Sequence, residues 1–284
     1  MVELPGLDTP RVRSAVHRIL DPRGAMAHYL WDSISFYGHY FDELPLKPEM
    51  HILDVGCGVG RTTLELAQRC PKARVVGIDI NPALTACAKQ LAQLFEFGDR
   101  VQFFAGDIVE KGTIPKDETF DFIYTRHVLI DLKQAGLREL VRALSPEGLL
   151  VELEPDYTMC RVYGLPHLDA HFRREGEIAL ETGLSGGNLR HLLDEANLKV
   201  KLFEPRIRIF TEKDAEWISF AKNRLAPSYQ EEIPKIEGLR FRRGNQWVEE
   251  RITRIREQIA ELDRLTRRQA FTHIFVQFLA QATK

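Results

Sequence analysis

The stretch "ILDVGCGVGRTT" (residues 52–63) decides the fold of this chain. A short apolar run contains an acidic residue, Asp54, and glycines follow at the alternate positions Gly56, Gly58 and Gly60. The phosphate-binding loop of dinucleotide enzymes has the spacing G-x-G-x-x-G, so the third glycine here comes one residue early. A carboxylate beside the loop also disfavours an anion at the following helix N-terminus. The loop therefore favours a zwitterionic or cationic ligand over a pyrophosphate.

This stretch opens a regular alternation of strands and helices. Asn81 followed by Pro82 is typical of a helix start. Alternation of this kind predicts right-handed crossovers and an α/β fold, with a doubly wound, mostly parallel sheet of seven strands. Short apolar runs place the strands at 51–56, 73–80, 101–108, 120–125, 148–155, 199–210 and 273–284.

Two segments fall outside the alternating core. Residues 1–47 are interpreted as an N-terminal helical cap or lid, and residues 211–268 as a helical cap insertion. The core itself spans residues 48–210, and it loses its period in an insertion at about 157–184. Residues 269–284 then supply a closing strand at the edge of the core sheet.

The composition restricts the class of protein. With 284 residues, 44% hydrophobic and 28% charged, the chain can fill the core of one large α/β domain with additions. A net charge of −2 argues against a nucleic-acid partner. Neither a membrane-spanning run nor a secretory signal is apparent, so we expect no membrane association and a cytoplasmic location. The four cysteines form no C-x-x-C pair, and no metal site is expected.

Further motifs follow the glycine loop in order. Asp79 ends the second predicted strand, about 20 residues after the loop, as a βαβ unit imposes. Asp107 and Ile108 follow the third strand, and a proline-glycine turn at 145–150 precedes the fifth. Together these features resemble the class I S-adenosylmethionine-dependent methyltransferases over about residues 48–155.

The resemblance implies a Rossmann-like fold, with S-adenosylmethionine as the cofactor. This molecule has no phosphate, and its methionine part lies across a glycine turn, where the backbone can approach closely. In the family, the acidic residue that ends the second strand holds the ribose hydroxyls, and the one after the third strand lies near the adenine. The cofactor-binding residues implied in this chain are Asp54, Gly56, Cys57, Gly58, Gly60, Asp79, Ile80, Asp107, Ile108 and Arg126.

The methyl acceptor is expected at the carboxyl ends of the fourth and fifth strands, because ligands bind there in open α/β sheets. His127 is a candidate general base, since an unperturbed histidine titrates near about pH 6.5; the alternative is a packed histidine. Arg126 can alternatively anchor an acidic acceptor or form a salt bridge. The candidate substrate-binding residues are Tyr29, Trp31, Tyr37, Tyr40, Glu154 and Tyr157. For these, aromatic packing of an N-terminal helix and structural hydrogen bonding are the competing interpretations.

The arginine-rich segment 247–268 could be mistaken for an RNA-binding helix. Its arginines alternate with glutamates, and an apolar stripe at helical spacing runs through it. The pattern favours a solvated helix with one buried face. A seam for a partner subunit, as in a homodimer, or a movable cap helix is the alternative.

The sequence therefore predicts an enzyme that methylates an oxygen or nitrogen atom of a small molecule, such as a product of secondary metabolism. The additions around the core favour an enclosed pocket. No asparagine-proline-proline-tyrosine signature follows the fourth strand, where "TRHV" stands instead. The alternatives are an NAD-type dinucleotide-dependent oxidoreductase, a carbon-directed methyltransferase, and a non-catalytic protein that retains the fold.

Overall fold

The computed structural model describes residues 10–37, 40–110, 112–182, 185–265 and 269–284. Within these residues the strands are β1 (His51–Val55), β2 (Arg74–Asp79), β3 (Val101–Ala105), β4 (Phe120–Arg126), β5 (Leu144–Pro155), β6 (Arg161–Tyr163), β7 (Lys199–Thr211) and β8 (Thr272–Thr283). The α-helices are α1 (Pro10–Leu20), α2 (Ala25–Tyr37), α3 (Arg61–Arg69), α4 (Pro82–Leu94), α5 (Leu129–Ala143), α6 (Pro166–Thr182), α7 (Leu189–Glu195), α8 (Ala215–Phe220), α9 (Ala226–Glu237), α10 (Arg240–Arg243) and α11 (Asn245–Arg264).

All eight strands form one sheet in the order β3-β2-β1-β4-β5-β8-β6, and β7 also pairs with β8. Strands β1 to β5 are parallel, whereas β8 runs antiparallel to its three neighbours. This arrangement confirms the predicted α/β fold. The chain passes from β1 outward to β3 and then returns to β4 on the other side, so a crevice forms at the carboxyl ends of β1 and β4.

The sheet differs from the prediction in two respects. It has eight strands rather than seven, because β6 forms inside the segment predicted as an insertion. Three residues are too few to show an alternating pattern, and the rest of that segment is largely the helix α6. The last strand, β8, is not an edge strand: β5 and β6 pair along one of its sides and β7 along the other. Its buried apolar residues are typical of such an interior position.

Successive residues of β1 pack on opposite faces of the sheet. Ile52 belongs to an apolar cluster with residues of α3 and α4, whereas Leu53 belongs to a second cluster with residues of α5 and α7. Asn81 caps α4 as predicted, since its side chain accepts a hydrogen bond from the N–H of Ala83 at 2.9 Å. The helices packed on the two faces of the sheet hold the β1–α3 loop and the end of β2 beside the crevice.

A third apolar cluster packs α6, α8 and α11 against β8. Carboxylates connect the helices of this region at their N-termini. Glu231 on α9 accepts hydrogen bonds from the first two backbone N–H groups of α2, and Glu261 on α11 accepts two from the first turn of α6, at 3.2 and 2.7 Å. These bonds satisfy donors that have no partner within their own helix. The N-terminal helix α2 and the helices after β7 are thereby joined into one wall above the crevice.

Three further observations concern the described residues only. Their helices include none that is both long and apolar enough to cross a membrane. They contain no group of three or more histidine, cysteine or acidic side chains that could hold a metal ion. All four cysteines are buried and free of disulfide bonds.

Candidate functional site

The glycine loop between β1 and α3 depends on backbone angles that disfavour other residues. Gly56 and Gly60 have φ values of +72° and +83°. A Cβ on Gly56 would lie 2.2 Å from a methyl carbon of Val128, and one on Gly60 would lie 2.8 Å from the Cβ of Ala88. Both contacts are far shorter than van der Waals separation. These two glycines therefore permit close packing of the loop against α4 and the β4–α5 connection.

Gly58 occupies a different environment. Its φ is +54°, but a Cβ placed on it would meet nothing closer than a methyl carbon of Leu30, at 3.5 Å. The space above Gly58 is part of an open cleft of about 420 Å³. The absence of a side chain at Gly58 therefore leaves space for a ligand against the backbone, whereas at Gly56 and Gly60 the space is filled by other residues.

Asp79, at the end of β2, is oriented by two backbone hydrogen bonds. Its Oδ2 atom accepts from the N–H of Gly58 and its Oδ1 atom from the N–H of Asn81, both at 2.8 Å. The carboxylate joins the glycine loop to the start of α4 while it lines the cleft. Turn capping and ligand binding are therefore compatible for Asp79, since each carboxylate oxygen can accept more than one hydrogen bond.

The cleft brings together nine of the ten cofactor-binding residues predicted from the sequence. The exception, Gly60, lies under the loop, where it packs against α4 and β3. Ile108 is buried at the base of the cleft, whereas the Ile80 side chain is 71% exposed at its rim. The nine residues in the lining are Asp54, Gly56, Cys57, Gly58, Asp79, Ile80, Asp107, Ile108 and Arg126.

Asp54 is a buried carboxylate in this lining. Its Oδ2 atom accepts a hydrogen bond from the Thr63 hydroxyl at 2.6 Å. Burial raises the pKa of the Asp54 carboxyl to about 7, although the Thr63 hydrogen bond and the nearby Arg126 charge oppose this rise. A cationic ligand beside this buried carboxyl would favour its ionised form.

Arg126, at the end of β4, projects a charged donor into the same cleft. Its Nη2 atom donates to the hydroxyl of Ser33 on α2 at 3.3 Å. Its Nη1 atom is buried, and it has no hydrogen-bond partner among the residues that the structure describes. Such a donor fits a ligand carboxylate, because the guanidinium can donate through several N–H groups.

His127 lies at the end of the cleft in an unusual backbone conformation. Its φ is +57°, and its N–H donates to the carbonyl oxygen of Leu153 at 2.9 Å. The imidazole Nε2 atom lies 3.2 Å from Oε1 of Gln277, whose amide nitrogen in turn donates to the Tyr40 hydroxyl at 3.4 Å. This arrangement assigns the imidazole proton to Nε2. Burial, assisted by the charge of Arg126, lowers the pKa of His127 to about 3, so the ring is neutral at physiological pH.

A second cavity, which we call the cap cavity, adjoins the cleft. It has a volume of about 270 Å³ and lies between α2, α6, α9 and α11. Met26, Tyr29 and His127 line both spaces. The remaining residues of the cap cavity are Tyr157, His171, Phe172, Glu175, Leu225, Ser228, Tyr229, Glu232, Arg251, Ile255, Gln258 and Phe275.

Among the predicted substrate-binding residues whose side chains the structure describes, Tyr29 and Tyr157 line the cap cavity. Trp31 is 4% exposed and packs in the core, with the Arg61 guanidinium 4.8 Å from its ring centroid. Tyr40 packs against the core cluster that contains Ile52, and its hydroxyl accepts a hydrogen bond from the Gln277 amide. Tyr37 ends α2, and its side chain lies outside the described part of the chain.

Glu154 was also predicted to contact the substrate, and the structure corrects this. Its Oε1 atom accepts hydrogen bonds from the N–H groups of Val128 and Leu129, at 2.9 and 3.0 Å. The side chain is 2% exposed and lines neither cavity. Glu154 therefore caps the N-terminus of α5, and in doing so it fixes the backbone directly after His127.

Comparison with known proteins identifies the family. Residues 46–197, more than half of the chain, match the model of the methyltransferase-domain family. The chain belongs to this family. Class I S-adenosylmethionine-dependent methyltransferase, the family expected from the glycine loop and the two aspartates, is thereby confirmed, with S-adenosylmethionine as the cofactor.

Individual relatives match only parts of the chain. The tRNA1(Val) (adenine(37)-N6)-methyltransferase of Porphyromonas gingivalis is 41% identical over 75 residues, which are 26% of this chain and 29% of that protein. The norajmaline N-methyltransferase of Rauvolfia serpentina is 30% identical over 134 residues, 46% of this chain and 44% of that protein. The chain thus spans less than half the length of these curated relatives.

A solved structure matches along most of the chain. The YcgJ protein of Bacillus subtilis superposes with a TM-score of 0.52 over 90% of this chain and 98% of that chain, at 16% sequence identity. The likeness shows that the two proteins share a fold.

The residues of the cleft fit S-adenosylmethionine. The bare backbone at Gly58 leaves space for the methionine part, and the buried Nη1 atom of Arg126 can donate to its carboxylate. Asp54 supplies negative charge near the loop, and Asp79 and Asp107 present carboxylates from the ends of β2 and β3. The sequence offered no signal for Met26, Leu30 and Ser33, which α2 places over the cleft from outside the matched region.

Gly56→Ala and Gly58→Ala should have separable effects on stability and binding. Both place an alanine in the left-handed region, which costs about 1–2 kcal/mol, but only Gly56→Ala also forces a Cβ against Val128. Gly56→Ala should therefore lose more free energy of unfolding in urea. Gly58→Ala should stay folded and lose affinity for S-adenosylhomocysteine by about tenfold or more, ~1.4 kcal/mol, in calorimetric titration. Unchanged affinity of a folded Gly58→Ala would show that the ligand does not lie on this backbone.

The raised pKa of Asp54 predicts a pH dependence of stability. Between the ordinary pKa of 3.8 and about 7 the folded state binds more protons at this residue than the unfolded state. The contribution of Asp54 to stability is therefore full at low pH and is lost as the pH rises through about 7. Relative to Asp54→Asn, the wild-type protein should lose up to about 1.4 kcal/mol per pH unit in this window. Urea unfolding at about pH 5 and pH 7.5 measures the difference, and a parallel pH response in both proteins would contradict it; the exposed Asp263→Asn is the control.

Proposed function

We propose that this protein transfers a methyl group from S-adenosylmethionine to a nitrogen or oxygen atom of a small molecule bound in the cap cavity. S-adenosylmethionine, when bound, supplies a methyl group activated by its positively charged sulfonium. The protein's own contribution is then to hold the acceptor in line and to exclude water. The observation that carries the proposal is that the cofactor cleft and the cap cavity share Met26, Tyr29 and His127.

Two features favour a small acceptor over a macromolecule. The cap cavity of about 270 Å³ is covered by α6, α9 and α11, and it is smaller than a cavity that takes a whole drug-sized ligand. The chain as a whole carries a net charge of −2, which disfavours a polyanion. The match to the tRNA-directed relative covers 26% of this chain, so it does not include the cap helices together with the core. The norajmaline N-methyltransferase, by its name, acts on a small molecule.

The helices outside the core have a role in this proposal. We infer that residues 1–47 and 211–268 close the site, as the sequence predicts. Hydrogen bonds from the first turn of α2 to Glu231 connect these two segments directly. The Arg224–Asp32 ion pair, with an N–O distance of 2.7 Å, adds a second connection.

Binding tests the cofactor side of the proposal. Calorimetric titration of the purified protein with S-adenosylhomocysteine should show micromolar or tighter affinity, which corresponds to about −8 kcal/mol. NAD, titrated in parallel, should not bind, since the loop lacks the third glycine of the pyrophosphate fingerprint and places Asp54 beside the ligand. Affinity for NAD alone would instead support the oxidoreductase alternative.

His127 remains the proposed catalytic residue, in a more restricted role than a titrating base. Its ring is neutral above about pH 3 and lines both the cofactor cleft and the cap cavity, so it presents an uncharged polar group to the acceptor. So weak a conjugate acid gives little driving force for full proton removal. The proposed role is to orient the N–H or O–H group of the acceptor at the junction of the two cavities.

His127→Asn tests this role, because asparagine tolerates a positive φ. Turnover should fall by about 10²-fold or more while the affinity for S-adenosylhomocysteine changes little. Burial lowers the pKa of His127 to about 3, so this residue should contribute no ionisation near about pH 6.5 to the pH profile of the wild-type rate. The profiles of the wild type and of His127→Asn should therefore have the same shape in this range. His191→Asn, on the exposed face of α7, is the matched control. Near-normal turnover of His127→Asn would leave His127 as a packing residue.

A further inference from the structure

The cap cavity is unusually rich in aromatic side chains. Tyr29, Tyr157 and Tyr229 reach it from α2, from the β5–β6 connection and from α9. Phe172 stacks on Tyr157 with ring centroids 5.9 Å apart, and His171 meets Tyr229 edge-on at 5.6 Å. Rings from four separate segments therefore surround one space.

The three tyrosines bring both a ring and a hydroxyl to the cap cavity. Each of these residues lines the cap cavity with its side chain. Burial, with a smaller contribution from Tyr29, raises the pKa of Tyr157 and of Tyr229, so both phenols are neutral at physiological pH. A neutral phenol group facing a cavity offers both its π face and its hydroxyl to a ligand.

The charged groups of the cap cavity leave an excess of negative charge. Two carboxylates, Glu175 and Glu232, face one cation, Arg251. The Arg251 guanidinium lies 3.6 Å from the Glu175 carboxylate, so its charge is already matched. Burial lowers the pKa of His171 to about 4 and that of His127 to about 3, and both rings are uncharged at neutral pH. Among the described residues of the lining, the formal charge is therefore −1. Burial raises the pKa of Glu232, and the charges of Arg251 and Lys235 only partly oppose this rise.

We infer that the cap cavity binds its acceptor through a positively charged amine, held between the tyrosine rings and the Glu232 carboxylate. This inference rests on the proposed function of the same cavity and names the class of acceptor. Aromatic faces attract a cation within about 6 Å of the ring centroid, and the attraction increases when the site excludes water. Burial disfavours the ionised form of Glu232, and an ammonium ligand beside it would offset that cost.

The alternatives fit the cavity less well. A carboxylate or phosphate acceptor would meet Glu175 and Glu232, while Arg251 is already engaged. A neutral acceptor would contact the tyrosine rings but would leave the negative charge of the lining uncompensated. The partial exposure of Glu175 and Arg251, at 26% and 28%, indicates that the cavity opens to solvent beside this ion pair. A charged ligand can therefore enter without crossing an apolar barrier.

Choline is a suitable probe, because its quaternary ammonium binds without being a methyl acceptor at nitrogen. Its neutral carbon isostere, 3,3-dimethylbutanol, has nearly the same shape and no charge. In calorimetric titrations with saturating S-adenosylhomocysteine, choline should bind at least about tenfold more tightly than the isostere. Equal affinity for the two, or affinity for neither, would overturn the inference.

Two pairs of variants test which side chains cause the preference for choline over its isostere. Glu232→Gln should weaken choline binding by about tenfold and leave the isostere unaffected, whereas Glu237→Gln, on the exposed end of the same helix, should change neither. Tyr229→Phe should keep most of the preference for choline and Tyr229→Leu should lose it, since the ring face is what attracts the cation. A Glu232→Gln protein that keeps the full preference would overturn the assignment.

The same titrations separate this inference from the proposed function. S-adenosylhomocysteine binding reports on the cleft, and thermal unfolding confirms that each variant is folded. If S-adenosylhomocysteine binds and choline shows no preference over its isostere, the methyltransferase proposal stands and the ammonium class is wrong. If S-adenosylhomocysteine does not bind, both fail.

Discussion

The helices around the two cavities are held at their N-termini by carboxylates from distant parts of the chain. Glu154 caps α5, Glu231 caps α2 and Glu261 caps α6, across sequence separations of 26, 205 and 93 residues. The first turn of a helix has N–H groups without partners, and its dipole favours a negative charge there. Because each carboxylate lies on another element, every cap also fixes where one helix sits relative to another.

The capping of α2 by Glu231 fixes the position of the α2 residues that the two cavities share. Met26 donates its N–H to Glu231 and also lines both the cofactor cleft and the cap cavity. The neighbouring Glu232 points into the cap cavity. Two consecutive glutamates of α9 thus have separate tasks, one satisfying the backbone of α2 and the other supplying charge to the cavity that α2 helps to enclose. At the other side of the junction, the cap made by Glu154 follows directly after His127, so the strained φ of that residue is supported by hydrogen bonds on the next two N–H groups.

The cofactor side of the site could be predicted because its signals are local. Asp79 and Asp107 follow strand ends, and the glycines occupy a turn whose spacing alone restricts its ligand. The aromatic N-terminal segment was harder to interpret, because the density of rings does not show where each ring points. Residues 26, 29, 30 and 33 form one face of α2 at helical spacing and line the cleft. Trp31 lies off that face, in the core, so helical spacing would have separated it from Tyr29.

The sequence predicted an enclosed pocket but not most of the residues that line the cap cavity, because no single segment contains them. The apolar stripe predicted on α11 is largely buried, yet Arg251, Ile255 and Gln258, at spacing 4 and 3, also line the cap cavity. On α6 and α9 the contributing pairs are His171 with Glu175 and Tyr229 with Glu232, again at helical spacing. Each pattern by itself is typical of an amphipathic helix whose polar edge reaches solvent. In the folded protein the polar edges of these three helices pack against α2, so their side chains face the cap cavity. Gln258 is the clearest example, because it is only 4% exposed although it lies in the middle of a charged helix. Its side chain has two donors and two acceptor lone pairs, and it is buried beside the cap cavity rather than in an apolar core.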